Sequence, residues 1–368
     1  MKKIQIVLLC FAILPLFSFQ VEEKTSIKVA LILDTSNSMD GLIDQAKSQL
    51  WSVVNELSEA RCDGNTPDLE IALYEYGNDQ LSMREGYIRL VSEFTSDLDH
   101  ISEKLFALRT DGGSEYCGQV IQTSLKALDW EDYPKDLKII FIAGNEPFDQ
   151  GNVSYREVCK EAREMDITIN TIFCGNFEEG KQTHWKDGAY IGGGDYMNID
   201  QDNQYVHIKS PYDDRLIELN EQLNKTYVAY GVSGTEMATR QEEQDGNAAS
   251  MNQRAYIKRA EAKSSSAYRN SNWDLVDAYD EDVVDLELMD EEQLPDEMKG
   301  MTDDEKTAYI EEKQKQRLAI QKEIGELTAK REQYVAEKQK IDPSNMLDVA
   351  IIQAVKKQAL AKNFEFVE

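Results

Sequence analysis

The sequence is poor in basic residues and in histidine. Lysine and arginine together number 40 against 69 aspartate and glutamate residues, which gives a formal net charge of −29. Binding nucleic acid by neutralising phosphates needs a clustered excess of lysine and arginine, so this composition excludes a general nucleic-acid binder. The three histidines lack the spacing of a zinc-hydrolase helix, and no Gly-x-Ser-x-Gly motif positions a serine nucleophile.

The only long apolar stretch lies at the N-terminus. Residues 1–20 contain two early lysines and a short apolar run, and acidic Glu22 and Glu23 follow. This pattern is typical of a secretory signal peptide. A membrane anchor is the alternative, but Pro15 interrupts the run, which is shorter than the roughly 20 apolar residues of a spanning helix. We therefore expect an exported protein, periplasmic or extracellular, with no stable membrane span after cleavage.

Cysteine is also scarce. After the predicted signal peptide the chain contains only Cys62, Cys117, Cys159 and Cys174. In an exported protein an even number permits two disulfides with three possible pairings, and buried free thiols are the alternative. No Cys-x-x-Cys spacing indicates a zinc cluster or a redox site.

Strand-like and helix-like segments alternate from residue 26 to residue 231. Runs rich in β-branched residues at 29–33, 139–142 and 167–173 are typical of strands buried on both faces. Apolar residues at helical spacing fill the segments between them. The sequence therefore predicts an α/β domain over residues 26–231, with a doubly wound, mostly parallel central sheet and helices on both faces. Ligands of such folds bind beside the carboxyl ends of the strands.

The composition changes after residue 231. Residues 232–301 are predicted to be a linker, first rich in polar residues and then acidic, which we expect to be flexible and solvated. Thr302 and Glu305 match a capping box, so a long helix should begin there. Its apolar spacing is interrupted by Arg317 and Arg331, and this predicts a helical hairpin or coiled-coil-like module over residues 302–368.

Three polar residues follow the first predicted strand in close succession. Asp34, Ser36 and Ser38 lie at the carboxyl end of that strand, immediately before an amphipathic helix. One carboxylate and two hydroxyls that converge there suit a hard divalent cation that keeps several waters.

This pattern resembles the metal-ion-dependent adhesion site of the von Willebrand factor type A (VWA) family, and the resemblance covers roughly residues 26–231. In that family a second loop supplies a hydroxyl after two glycines, and Ser114 after Gly112 and Gly113 fits that loop. The resemblance implies a VWA fold, which is Rossmann-like. It also implies a Mg²⁺ or Mn²⁺ site with four protein ligands: Asp34, Ser36, Ser38 and Ser114.

The third loop departs from the family pattern. Gly144 stands where the family usually has an aspartate, although residues 143–148 resemble the same loop in exported bacterial members. Losing one carboxylate weakens a divalent site, so restoring it with Gly144→Asp should tighten Mg²⁺ binding. Four polar residues nearby are candidates to compensate: Asp111, Asn145, Glu146 and Asp149. The alternative is a degenerate site in which Asp34 and the serines only cap the loop and the helix.

The resemblance implies a binding protein rather than an enzyme. We expect it to mediate protein–protein or adhesive contacts in the cell envelope, with an acidic side chain of the partner completing the metal site. A metal-free assembly scaffold and a metal-assisted envelope hydrolase are the alternatives. Cys117 follows the second loop and Cys174 ends a strand at the same edge, so a disulfide between them is predicted to clamp the loops.

The signal peptide yields the first testable prediction. Cleavage between residues 18 and 22 should reduce the intact mass of the exported protein by about 2 kDa, because signal peptides are removed on export. Mass spectrometry of the protein from an envelope fraction measures this directly. Full-length protein in the membrane fraction would contradict it.

Overall fold

The computed structural model of the protein describes residues 25–40, 43–131, 133–199, 208–338 and 347–366. The predicted signal peptide lies outside the described residues. Within them, no helix is both long enough and apolar enough to cross a membrane.

The central sheet has six strands. The strands within the described residues are β1 (Ser26–Asp34), β2 (Ala60–Cys62), β3 (Asp68–Tyr76), β4 (Ile88–Thr95), β5 (Leu137–Gly144), β6 (Ile167–Cys174), β7 (Gly193–Ile199) and β8 (Phe364–Phe366). The spatial order in the large sheet is β4-β3-β1-β5-β6-β7, and β4 is antiparallel to β3 while the other pairs are parallel. The predicted doubly wound, mostly parallel α/β fold is therefore confirmed.

Helices cover both faces of this sheet. They are α1 (Ile43–Ser58), α2 (Leu98–Ala107), α3 (Cys117–Ala127), α4 (Tyr155–Glu164), α5 (Phe177–Gln182), α6 (Trp185–Ile191), α7 (Asp213–Asn224), α8 (Gly234–Met251), α9 (Gln253–Ser264), α10 (Leu275–Asp280), α11 (Asp303–Lys338) and α12 (Leu347–Ala361). In β1, Val29 and Leu31 face a core formed with α1, α2 and α12, whereas Ala30 and Ile32 face a core formed with α3, α4 and α6. Alternate side chains of a strand point to opposite faces, so an apolar run fills both cores.

The last helix of the chain completes the first core. Ile351, Val355 and Ala359 of α12 are fully buried beside α1 and β7, and β8 then pairs antiparallel with β2. The long helix α11 packs instead against α7, α9 and α10. The predicted hairpin between α11 and the segment after it is therefore wrong, because the apolar face of α12 is buried on the sheet.

The first half of the predicted linker is helical and packed. Helices α8 and α9 lie against α2 and α1, so the expectation of a flexible chain here is wrong. Their polar residues are buried in an ion-pair network rather than solvated. Arg259 contacts Asp99 of α2 at 2.8 Å and Asp245 of α8 at 2.5 Å, and Lys263 contacts Asp245 at 2.8 Å.

Asp245 is the acidic centre of this network. Burial alone would raise the pKa of Asp245, but the Lys263 ammonium and the Arg259 guanidinium outweigh burial and hold it well below its usual range. Removing one member of such a buried pair typically costs about 3–5 kcal/mol, because a charge is left without its partner. The network therefore fastens α8 and α9 to the sheet domain.

The acidic second half of the predicted linker is folded as well. Arg317 of α11 contacts both Asp274 and Asp277 at 2.6 Å, and Arg331 contacts Asp213 at 2.9 Å. The arginines that interrupt the apolar spacing of α11 thus neutralise buried acids. A small apolar core lies beside them: Val228, Leu275, Val276, Leu286, Leu294, Met298 and Ile310.

The start of α11 agrees with the predicted capping box. Thr302 N donates to Glu305 Oε2 at 2.8 Å, and Glu305 N donates to Thr302 Oγ1 at 3.4 Å. These reciprocal bonds satisfy amides that the first helical turn leaves free.

All four cysteines in the described part of the chain are free and buried. Cys117 lies in the core between the sheet and α3, whereas Cys174 lies in the core on the opposite face. The predicted Cys117–Cys174 disulfide is therefore wrong, because the sheet separates the two thiols.

The role of α12 in the core can be tested by truncating single side chains. Ile351→Ala should lower the free energy of unfolding by about 2–5 kcal/mol, because it leaves a cavity in a fully buried site. Leu360→Ala in the same helix is the control. Leu360 is 58% exposed, so its truncation should cost no more than about 0.5 kcal/mol.

Urea unfolding followed by tryptophan fluorescence measures both variants. Equal, small effects would mean that α12 does not belong to the folded domain.

Candidate metal centre at the carboxyl ends of the strands

The centre of the sheet places Asp34 beneath three loops. Strand β1 lies between β3 and β5 and ends at Asp34, so the loops after all three strands meet above it. Asp34 is fully buried and Ser36 is 2% exposed, whereas Ser38 is exposed at the surface. The first loop therefore runs from the buried end of the sheet to solvent.

Hydrogen bonds join three of the four predicted ligands. Asp34 Oδ1 accepts from Ser36 N at 2.8 Å, and the hydroxyls of Ser36 and Ser38 are 2.8 Å apart. Ser38 Oγ donates to Asn145 Oδ1 at 2.9 Å, and Asn145 Nδ2 donates to Ser38 O at 3.0 Å. Asn145 thus ties the third loop to the first. The other carboxylate oxygen, Asp34 Oδ2, is buried and has no hydrogen-bond partner.

Ser114, the fourth predicted ligand, is placed differently. It is half-buried in the second loop, and within the described chain it makes no hydrogen bond to Asp34, Ser36 or Ser38. The glycine before it allows a close approach, since a Cβ on Gly113 would lie 2.1 Å from the carbonyl oxygen of Gly77.

The neighbour of Ser114 lies much closer to the site. Glu115 is 6% exposed, and its carboxyl contacts the Ser36 side chain. A Cβ on Gly77 would lie 2.8 Å from Asp34 Oδ1 and 2.8 Å from Glu115 Cγ, so the two acidic side chains face each other across this glycine. Glu115 was not predicted from the sequence as a site residue. The available signal was an acidic residue directly before an apolar helix, beside a predicted ligand.

The site concentrates negative charge. The pKa of Asp34 is raised to about 7, mainly by burial and slightly by the carboxylate of Glu146, while hydrogen bonds from Ser36 and Asn145 oppose the rise. Burial also raises the pKa of Glu115 to about 7, with the Asp34 charge as the next cause. Two buried carboxyls of this kind hold either a proton or a cation between them.

Gly144 has no room for the family's carboxylate. A Cβ there would lie 2.4 Å from Tyr76 Oη, 3.0 Å from Trp185 Cη2 and 3.2 Å from Asp34 Cβ. Both aromatic side chains are fully buried, so neither can move aside cheaply. The expectation that Gly144→Asp would tighten Mg²⁺ binding is therefore wrong, because the new side chain would collide with the core.

The four candidates for compensation fall into two groups. Asn145 and Glu146 lie beside Asp34, as described above. Asp111 accepts a hydrogen bond from Gln80 at 2.8 Å, and Asp149 faces His184 at 3.7 Å. Asp111 and Asp149 are therefore engaged away from the buried carboxylates.

The residues present fit a hard divalent cation that keeps waters. No cluster of three acidic, histidine or cysteine side chains suited to a metal occurs among the described residues. The predicted ligand set differs from such a cluster, because it contains one carboxylate and three hydroxyls. The unpartnered Asp34 Oδ2 and the hydroxyl oxygens of Ser36 and Ser38 are the ligand atoms that Mg²⁺ accepts.

A glycine pair tests the crowding at the third loop. Gly144→Ala should lower the free energy of unfolding by about 1–3 kcal/mol, because overpacking strains a closed core. Gly325→Ala is the control, since a Cβ there meets no atom within 4 Å. In the interior of α11 it should be neutral or stabilise by up to about 1 kcal/mol. Thermal unfolding of the two variants measures the difference, and an unchanged melting temperature for Gly144→Ala would contradict the packing described here.

Neither a protein-family model nor a curated protein matches the chain. BatB from Bacteroides thetaiotaomicron is a similar solved structure, 17% identical over 48% of this chain and 91% of its own, with a TM-score of 0.35. The SpRpn10 VWA domain is 14% identical over 49% of this chain and 91% of its own, with a TM-score of 0.38. Mussel byssus proximal thread matrix protein 1, described with a zinc-occupied MIDAS motif, is 12% identical over 49% of this chain and 43% of its own, with a TM-score of 0.36. Likeness this distant carries no conclusion about binding or activity. By its own strand order, its antiparallel edge strand and its Asp34 loop, the sheet domain has the fold of a VWA domain.

Proposed function

We propose that the protein binds a protein or another component of the cell envelope through the loops above Asp34, with Mg²⁺ or Mn²⁺ at that site. The observation that carries this proposal is the buried, unpartnered Asp34 Oδ2 at the start of the loop that carries the Ser36 and Ser38 hydroxyls. A buried polar atom without a partner typically costs about 1–3 kcal/mol, and more when charged. A bound cation would recover that cost.

The proposed ligands are Asp34, Ser36, Ser38 and Ser114. When bound, the ion supplies an open coordination position that can accept an acidic side chain of the partner. The protein's own residues prepare the site before any partner arrives. Asn145 holds the Ser38 hydroxyl by two hydrogen bonds, and the exposure of Ser38 leaves the site open to solvent on this side. We expect weak binding of the ion, with a dissociation constant of about 1 mM.

Binding rather than catalysis, in the periplasm or outside the cell, is part of this proposal. The N-terminal pattern of residues 1–20 supports export. The side chains described around Asp34 are hydroxyls, an amide and carboxyls, and the nearby Cys117 thiol is fully buried with its pKa raised by burial. A thiol in that state is a poor nucleophile.

A metal-free assembly scaffold is the second candidate. One observation favours it: Ser36, Ser38 and Asn145 already satisfy each other by hydrogen bonds, as residues of a purely structural loop do. In that case the partner would bind the helical layer formed by α7 to α11 instead of the loops.

Capture of a partner from an envelope extract, with and without EDTA, tests the proposal. We expect EDTA to abolish capture and excess Mg²⁺ to restore it, and Asp34→Asn to abolish it in both conditions. Asp149→Asn is the matched control, since it removes the same charge from an exposed position on the third loop. EDTA-insensitive capture that survives Asp34→Asn would favour the scaffold. Turnover of a substrate would instead indicate the hydrolase.

A further inference from the structure

We propose that Glu115 supplies the second carboxylate of the divalent-ion site, in place of the acid for which Gly144 has no room. This inference rests on the proposed function, because it assumes that an ion binds beside Asp34. Glu115 belongs to the second loop and precedes α3, so the acid would come from a different loop than the family pattern places it.

Glu115 lies close to Asp34. Asp34 Oδ1 and Glu115 Cγ each lie 2.8 Å from the point that a Cβ on Gly77 would occupy. Gly77 has a φ of +78°, a left-handed conformation that favours glycine, so the backbone itself keeps this space free of a side chain. The two carboxyls therefore share one buried gap at the carboxyl ends of β1 and β3.

The two acids also lack countercharge. In the described part of the chain, most buried acids form ion pairs with lysine or arginine: Glu75, Asp99, Asp213, Asp245, Glu261, Asp274 and Asp277. Asp136 also lacks such a pair in the described part of the chain and, like Asp34, accepts one backbone hydrogen bond, from Ser26 N at 2.8 Å. Among the described residues, Asp34 and Glu115 have no ion pair with a basic side chain, and these two acids face each other across Gly77. Their two negative charges would balance one divalent cation, and burying them without one is costly.

Glu115→Gln tests the inference, because glutamine has nearly the shape of glutamate and cannot supply a carboxylate. We expect Mn²⁺ affinity, measured by calorimetry on the purified protein, to fall at least about tenfold, the scale of one lost charge beside a divalent ion. The melting temperature without metal should stay unchanged or rise, since the variant removes the repulsion with Asp34. The rise in melting temperature on adding Mn²⁺ should disappear.

Glu146→Gln is the matched control. It removes the same charge from a half-buried residue that also acts on Asp34, but not from the gap at Gly77. Its Mn²⁺ affinity should change less than about threefold, because it acts only through a partly screened charge. An effect of Glu146→Gln equal to that of Glu115→Gln would overturn the inference.

The outcomes also distinguish this inference from the proposed function. If wild type binds Mn²⁺, Asp34→Asn does not, and Glu115→Gln binds as wild type does, Glu115 is not a ligand and the proposed function stands. No Mn²⁺ binding by wild type overturns both. If Glu115→Gln lowers the melting temperature without metal, the Mn²⁺ affinities of Glu115→Asp and Glu115→Ala are compared instead. The aspartate variant should bind Mn²⁺ more tightly than the alanine variant, and equal affinities would overturn the inference.

Discussion

The burial of Asp34 is the constraint on which the loop region depends. β1 lies in the middle of the sheet and is covered on both faces, so the carboxylate at its end is fully removed from solvent. The neighbouring loops pack closely on Asp34 at Gly77 and Gly144, and Gly113 packs against Gly77 in turn, so glycine is needed at all three positions. A Cβ would meet atoms within 2.8 Å at Gly77, 2.1 Å at Gly113 and 2.4 Å at Gly144. Crowding around one buried acid thus determines which positions of the second and third loops can carry a functional side chain.

Elsewhere in the described part of the chain, most buried acids are paired with basic side chains. Arg259, Lys263 and Arg317 come from segments after the sheet domain, and each contacts a buried aspartate within 2.8 Å. Such pairs add little net stability but penalise any arrangement that separates them. The Arg259 pairs hold α8 and α9 on the sheet domain, the Arg317 pairs hold α10 on α11, and α12 fills the core of the sheet domain. The loops above Asp34 are therefore carried by a framework that includes residues more than 300 positions further along the chain.

The fold of the sheet could be predicted from sequence because its signals are local. An apolar run such as residues 29–33, followed at once by Asp34 and an amphipathic helix, identifies a buried strand and the loop at its end. The C-terminal half could not be predicted in this way. Asp99 and Arg259 lie 160 positions apart, and in a composition count both are simply polar residues. Glu115 was missed for the same reason, since its contact with Asp34 across Gly77 depends on the tertiary packing of two loops.

The aromatic packing below the third loop explains why the acid is displaced. The Phe148 ring lies 4.8 Å from that of Trp185 and 5.4 Å from that of Tyr155, and Trp185 Nε1 donates to the Glu146 carbonyl at 2.8 Å. These contacts pack the loop onto α4 and α6 and fill the space beside Gly144. An aspartate at that position and this aromatic cluster exclude each other, because both need the same volume. A site that keeps the cluster must take its second negative charge from elsewhere, and Glu115 faces Asp34 across Gly77.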